Sequence, residues 1–217
     1  MDLLELEDSY CEHLGKSISD LKSHYEEVVK ALRTGYREND ITKAILTRMR
    51  AFYKAEDEEK RFLDYNIKQP AAYFFEKTVL FYTKAYVETM QEGYHVVSQE
   101  SIRLKNGNSL RPDIIVKDKD KNIISVIECK TQFGWDRNSW ETNFKEREKN
   151  LKEVKPGAKM FLLVLTGVNW DSNKFQELER YGKDYFCLTS CWPKDLSDPI
   201  NDNQILTPIE NLFKKLI

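Results

Sequence analysis

A chain of 217 residues can bury a core of its own, and it fits one sizeable domain or a core with an extension. With 32% charged and 41% hydrophobic residues it reads as a soluble globular protein; no apolar run approaches the ~20 residues a membrane helix needs, and an N-terminus carrying Asp2, Glu5, Glu7 and Asp8 does not resemble a basic signal peptide. The formal net charge of −2 weighs against a nonspecific nucleic-acid coat, which requires a strongly basic domain, while leaving room for a local basic groove.

Four cysteines without a secretion signal predict a reducing cytoplasm and free thiols. Cys187 and Cys191 stand four apart with no nearby His or second Cys pair, which is not zinc spacing, and His13, His24 and His95 form no ligand or triad pattern. No glycine-rich phosphate loop occurs, so no nucleotide cofactor is expected.

In chain order, residues 2–34 carry apolar positions at helical spacing, among them Leu3, Leu6, Tyr10, Leu14, Ile18, Leu21, Tyr25, Val28 and Leu32. Gly15 with Ser17 and Ser19 allows a break and a new N-cap, so this stretch fits one helix or two. Residues 40–65 form a second helical block capped by Asn39 or Asp40, with the charged run Asp57–Arg61 as a solvated face. We therefore read 1–68 as a helical N-terminal extension and 69–217 as the core. Pro70 suits the first turn of the next helix, 71–91, which is aromatic and apolar almost all round and is expected to be central and buried.

After Gly93, residues 94–104 alternate loosely and end in Asn106-Gly107, a strong hairpin signal. Two short apolar runs follow, Ile114–Val116 and Ile123–Ile127, separated by the turn-like Asp118–Asn122, so a three-stranded antiparallel meander is expected. Asn138 or Ser139 can cap a helix with the apolar line Trp140, Phe144, Leu151 and Val154, stopped by Pro156-Gly157. Lys159–Thr166 is a continuous apolar run, as in a strand covered on both faces. Asp171 or Ser172 opens a helix ending at Gly182, Tyr185–Thr189 adds an edge strand, 193–203 is a polar loop, and Thr207-Pro208-Ile209-Glu210 reads as a capping box before a short C-terminal helix.

The chemistry sits at the ends of the paired strands. Side chains alternate along a strand, so Glu128 and Lys130 share one face while Cys129 points to the other, and pairing of the two strands brings Asp113 beside them. Two carboxylates in one partly buried volume repel each other, and a divalent cation relieves both the repulsion and the desolvation. Mg²⁺ usually takes one or two protein carboxylates and completes its shell with water and phosphate oxygens, and a neighbouring lysine can hold or deprotonate the attacking water. That combination predicts phosphodiester hydrolysis.

Pro112-Asp113 followed by Glu128-Cys129-Lys130 resembles the PD-(D/E)xK motif of the restriction-endonuclease-like nucleases. The resemblance implies a mixed α/β (α+β) fold with an αβββαβ core, and the predicted element order from Pro70 to Gly167 agrees with it. It implies Asp113 and Glu128, with the Cys129 carbonyl, as ligands of Mg²⁺ (with Mn²⁺ as a substitute), and Lys130 as the residue that orients or activates water. It also implies a glutamate from the preceding helix; Glu76 is the candidate, with Glu88 and Glu92 as competitors. Gln132 follows on the Glu128 and Lys130 face and either binds phosphate or water or is a polar strand end. Trp135 and Arg137, just after the catalytic strand, are candidates for contact with nucleic acid, although Trp135 reads more readily as ordinary packing. Lys117, Lys119, Lys121, Lys145, Arg147 and Lys149 are interleaved with acids and read as a mixed-charge surface.

The expected function is a metal-dependent nuclease acting on DNA, a restriction or defence endonuclease in the first instance, with repair and recombination nucleases sharing the core. Double-strand cleavage normally needs two sites, so a homodimer is expected. The competing reading is a restriction-like fold that binds nucleic acid or protein without hydrolysis.

Overall fold

The computed structural model describes residues 3–64, 71–132, 139–168 and 176–217. The chain divides into two compact units, Met1–Tyr36 and Arg37–Ile217. The first holds one unbroken helix, α1 (Leu3–Thr34). Ser17, which resembles the cap of a second helix, instead donates its hydroxyl to the His13 carbonyl one turn back, at 3.0 Å. Tyr10, Leu14 and Ile18 are exposed.

The second unit is a mixed α/β structure around a five-stranded sheet of order β1 (His95–Ser98), β4 (Ile114–Lys117), β5 (Ile123–Lys130), β6 (Lys159–Thr166) and β7 (Tyr185–Thr189). The first three form the expected antiparallel meander; β6 and β7 are parallel to β5. The Asn106-Gly107 turn does not join strands of this sheet. It closes a separate two-stranded hairpin, β2 (Ile102–Arg103) with β3 (Ser109–Leu110), inserted between β1 and β4. Local turn chemistry specifies a hairpin but not which sheet owns it.

Helix α4 (Trp140–Val154) makes the crossover from β5 to β6. Phe144 and Leu151 bury one face of it among Ile115, Val126, Met160, Leu162, Val164 and Tyr185. Alternation along β5 sends Ser125 and Ile127 to the opposite face, where the Ser125 hydroxyl donates to the Leu216 carbonyl at 3.0 Å. Helix α3 (Ala71–Met90) packs on β1 and β5 and meets the C-terminal helix α5 (Ile209–Phe213) through Tyr86 and Phe213, ring centroids 4.9 Å apart. The aromatic composition of α3 predicts burial all round, yet Tyr73 and Met90 are exposed and the buried positions form one broad stripe from Phe75 to Val87.

Helix α2 (Asp40–Leu63) belongs to this second unit, although the sequence reading grouped it with the N-terminal extension. Ile41, Ile45, Leu46 and Met49 are buried, Phe52 stacks on Phe74 of α3 at 4.3 Å, and the Arg48 guanidinium lies 4.0 Å from the Phe81 ring centroid. Its first turn is held from far along the chain. Asn39 adopts φ 74° and makes no side-chain cap, and the buried Glu210 carboxylate accepts the N–H groups of Ile41 and Thr42 at 2.7 and 3.2 Å. Thr42 reciprocates: its hydroxyl donates to Glu210 at 2.5 Å and accepts the Ile209 N–H at 2.8 Å. The residues 207–210 are thus not a local capping box; Glu210 caps another helix, and Thr207 is hydrogen-bonded to the Tyr181 hydroxyl.

Strand β7 is buried throughout, because the segment 205–207 closes its outer edge with the hydrogen bonds Leu206 N–H to Leu188 and Thr207 N–H to Cys187. The loop 193–203 contains two short 3-10 turns and buries Leu196 and Ile200. The expected helix start at Asp171 or Ser172 lies outside the described residues. No described helix is long and apolar enough to cross a membrane.

Candidate active site

Strand β4 begins where β5 ends, since Ile114 pairs with Ile127. Continuing this register sets Asp113, one residue before β4, opposite Glu128, and its Oδ2 accepts the neighbouring Cys129 N–H at 2.7 Å. This bond aims the carboxylate at the end of β5. Glu128 and Lys130 project from the face that carries Val126, as strand alternation requires. The Lys130 ammonium lies 3.9 Å from Asp113 Oδ2 and 3.8 Å from Glu128 Oε2. One ammonium thus faces both carboxylates. Glu128 is only 5% exposed, whereas the Lys130 side chain is about half exposed. The cluster opens to solvent on the lysine side.

Glu76 joins through an intermediary. Gln99 Nε2 donates to Glu76 Oε1 at 2.9 Å and to Asp113 Oδ1 at 3.2 Å. The Gln99 backbone is left-handed, φ 55°, and its N–H points to the Asp113 carbonyl at 3.3 Å. A non-glycine residue with positive φ is uncommon, and here the tight turn after β1 delivers an amide between two carboxylates. Glu88, twelve residues beyond Glu76, is about 18 Å further along the helix and exposed, as is Glu92.

From the other side, Arg147 of α4 reaches Glu128 Oε1 with Nη2 at 2.5 Å. Burial, and secondarily the Asp113 charge, raise the Glu128 carboxyl above its ordinary range against the opposing pull of Arg147 and Lys130. Burial likewise raises Glu76, the Gln99 hydrogen bond opposing it and Asp113 adding to it. Cys129, buried between its charged neighbours, is pushed well above the ordinary thiol value by burial.

Among the described residues no three His, Cys, Asp or Glu side chains converge into a metal cage. The donors brought together here are the Asp113 and Glu128 carboxylates. Two carboxylates plus water is a common protein share for Mg²⁺, and a carboxyl that burial raises, as it does Glu128, is one that a divalent ion stabilises in its charged form. The residues fit the ion by their chemistry, while Glu128 is held by Arg147 and Glu76 reaches Asp113 through Gln99.

Gln132 lies two residues past β5 and is half-buried; Thr131 before it accepts the Thr166 N–H at 3.1 Å, so the chain still runs beside β6 there. Trp135 and Arg137 lie outside the described residues. Of the lysines on the meander, Lys117 is half-buried and pairs with Glu100 at 2.7 Å.

The sequence reading missed Gln99 and took Arg147 for part of a mixed-charge surface, whereas its guanidinium binds the buried Glu128. Gln99 gave no readable signal, because its role depends on one left-handed backbone angle. Arg147 did give one: it stands three residues after Phe144 and four before Leu151, on the buried line of α4, where a cation must find a partner on the sheet.

No family model and no curated protein matches the sequence. Among solved structures, a chain of a cryo-electron-microscopy DrdV–DNA complex is similar over 50% of this chain at 11% identity and a TM-score of 0.32, too slight a likeness to assign fold or function. This chain spans 9% of that chain's length.

Proposed function

We propose that the protein is a metal-dependent nuclease of the PD-(D/E)xK type that hydrolyses DNA phosphodiester bonds. The observation that carries the reading is the placement of the Asp113 and Glu128 carboxylates within 4 Å of one lysine, at the meeting ends of two adjacent strands. A bound Mg²⁺ would supply positive charge against the scissile phosphate and acidify a water. Asp113 and Glu128, with the Cys129 carbonyl, would hold it. Asp113 is pre-aimed by the Cys129 N–H and by Gln99, so it loses little freedom on binding. Lys130, half exposed and facing both carboxylates, is placed to orient the attacking water or take its proton. A phosphate would enter from the solvent side of Lys130, and Gln132, two residues past β5, would help to bind it or the attacking water. A restriction or defence role follows from the resemblance of the motif; repair and recombination nucleases share it.

The experiment is cleavage of labelled duplex, single-stranded and branched DNA with Mg²⁺, Mn²⁺ or EDTA, wild type against Asp113→Ala. Metal-dependent cutting lost in the variant supports the reading, and substrate preference separates defence from recombination. One observation favours a second reading, a non-hydrolytic binding scaffold: Arg147 already neutralises Glu128. Wild type that binds DNA and never cuts it, with every metal tried, would establish the scaffold instead.

A further inference from the structure

Two arginines contact the acids around α4, and they are used differently. Arg180 is fully engaged: Nη1 and Nη2 bind the two oxygens of Glu148 at 2.8 and 3.0 Å, and Nε donates to Asp184 at 2.8 Å. That is the bidentate arrangement of a structural ion pair. Arg147 holds Glu128 through Nη2 alone, and the same nitrogen donates to the Arg111 carbonyl at 3.3 Å. Its Nε is buried with no acceptor among the described residues, while the side chain as a whole is 37% exposed. A guanidinium offers five N–H donors in a fixed fork, so Arg147 holds the most buried acid of the site with a fraction of its capacity, from a position that reaches solvent.

We propose that Arg147 is a positioning residue with two stations: it is the resident counter-cation of Glu128 when no divalent ion is bound, and it turns to a substrate phosphate when one is. The inference rests on the metal-nuclease reading. It follows from charge balance. Lys130 stands 3.8 Å from Glu128 Oε2, beyond hydrogen-bond reach, so in the empty site the buried carboxylate depends on Arg147 for its direct charge-assisted hydrogen bond, and a divalent ion beside Glu128 removes that need and repels the guanidinium. The displaced fork matches the two oxygens of a phosphate, and Arg147 has an exposed path to one. The contact with the carbonyl two residues before Asp113 keeps the displaced arginine at the site's edge.

The test has two binding readouts and needs no turnover. Mn²⁺ binding is measured by the loss of the free-ion paramagnetic resonance signal for wild type, Arg147→Gln, Arg147→Lys and Asp113→Asn. A short DNA duplex is titrated by fluorescence anisotropy in EDTA and in Ca²⁺. Removing the competing cation is expected to tighten Mn²⁺ binding about tenfold in Arg147→Gln, and less in Arg147→Lys, which also serves if the glutamine variant does not fold. Duplex binding by Arg147→Gln is expected to weaken severalfold in Ca²⁺ and to stay near wild type in EDTA. Unchanged or weaker Mn²⁺ binding in both Arg147 variants, with Asp113→Asn still abolishing it, would overturn the exchange and leave the metal site standing. Equal loss of duplex binding in EDTA and Ca²⁺ would also overturn it. Wild type that binds Mn²⁺ no better than Asp113→Asn would remove the metal site itself, and the exchange with it.

Discussion

The Asp113 carboxylate accepts the Cys129 N–H at 2.7 Å, so the acid that precedes one strand is anchored to the backbone of the next, between the two residues that flank that amide on the site's face. Asp113→Asn can keep this bond through its amide oxygen, whereas Asp113→Ala cannot. The expectation is that both variants lose cleavage and that only the alanine variant loses stability, by about 1–2 kcal/mol in urea denaturation, for a buried N–H left unmet. Cleavage retained by either variant would count against Asp113 as a ligand.

Gln99 bridges Glu76 and Asp113 through one amide nitrogen. Gln99→Ala should lower Mg²⁺ affinity or rate about 10–100-fold, the usual cost of losing an outer partner of a metal ligand. Gln99→Glu would set three carboxylates together, and it should melt lower than wild type in EDTA and recover with Mg²⁺. A thermal scan in both conditions checks this; no Mg²⁺-dependent recovery would place Glu76 and Gln99 outside the metal's reach.

Glu210 is 1% exposed and satisfies three donors in the first turn of α2. Glu210→Ala should cost about 3 kcal/mol, a lost cap plus buried donors left open, seen as a lower urea midpoint at unchanged slope. Thr42→Val, which frees the Ile209 N–H as well, should not add its full cost in the double variant, because the two residues form one network.

The Glu148–Arg180 pair gives the fold an acid-sensitive point. Burial alone would raise Glu148, but hydrogen bonds from Arg180 and Lys152, and their charges, outweigh it and hold the carboxyl below its ordinary range. A depressed folded-state value means stability present above the unfolded pKa, about 4.3, and lost as pH falls through the lower folded value. Melting temperature should therefore drop on acidification through that window, and Glu148→Gln should flatten this part of the curve while lowering the plateau above it. An unaltered acid limb in Glu148→Gln would assign the loss to other carboxylates.

How much of this was legible before the coordinates follows from the range of each interaction. The apolar run of β6, the line Phe144–Leu151 of α4 and the alternation that separates Glu128 from Cys129 are local patterns, and the structure has them where periodicity puts them. The αβββαβ order could be read because each element announced itself within about ten residues. What could not be read depends on distant partners: Glu210 looks like a local capping box until Ile41 and Thr42 arrive from 169 and 168 residues away. Asn106-Gly107 promises a hairpin and cannot say that it leaves the main sheet. Ser17 looks like a cap because sequence alone does not reveal whether its hydroxyl bonds forward or back to His13. At the site, Asp113, Glu128 and Lys130 were readable from strand spacing, and Gln99 was not, since one backbone angle brings it there.

The most direct test of the central claim is nicking of supercoiled plasmid by wild type and Lys130→Ala, each with Mg²⁺ and with EDTA, after both are shown to melt alike. Lys130 is half exposed and its removal should leave the fold intact. The account predicts Mg²⁺-dependent conversion to nicked or linear plasmid by wild type, slowed about 10²–10⁴-fold in Lys130→Ala. Equal rates for the two proteins, or cutting that persists in EDTA, would contradict it.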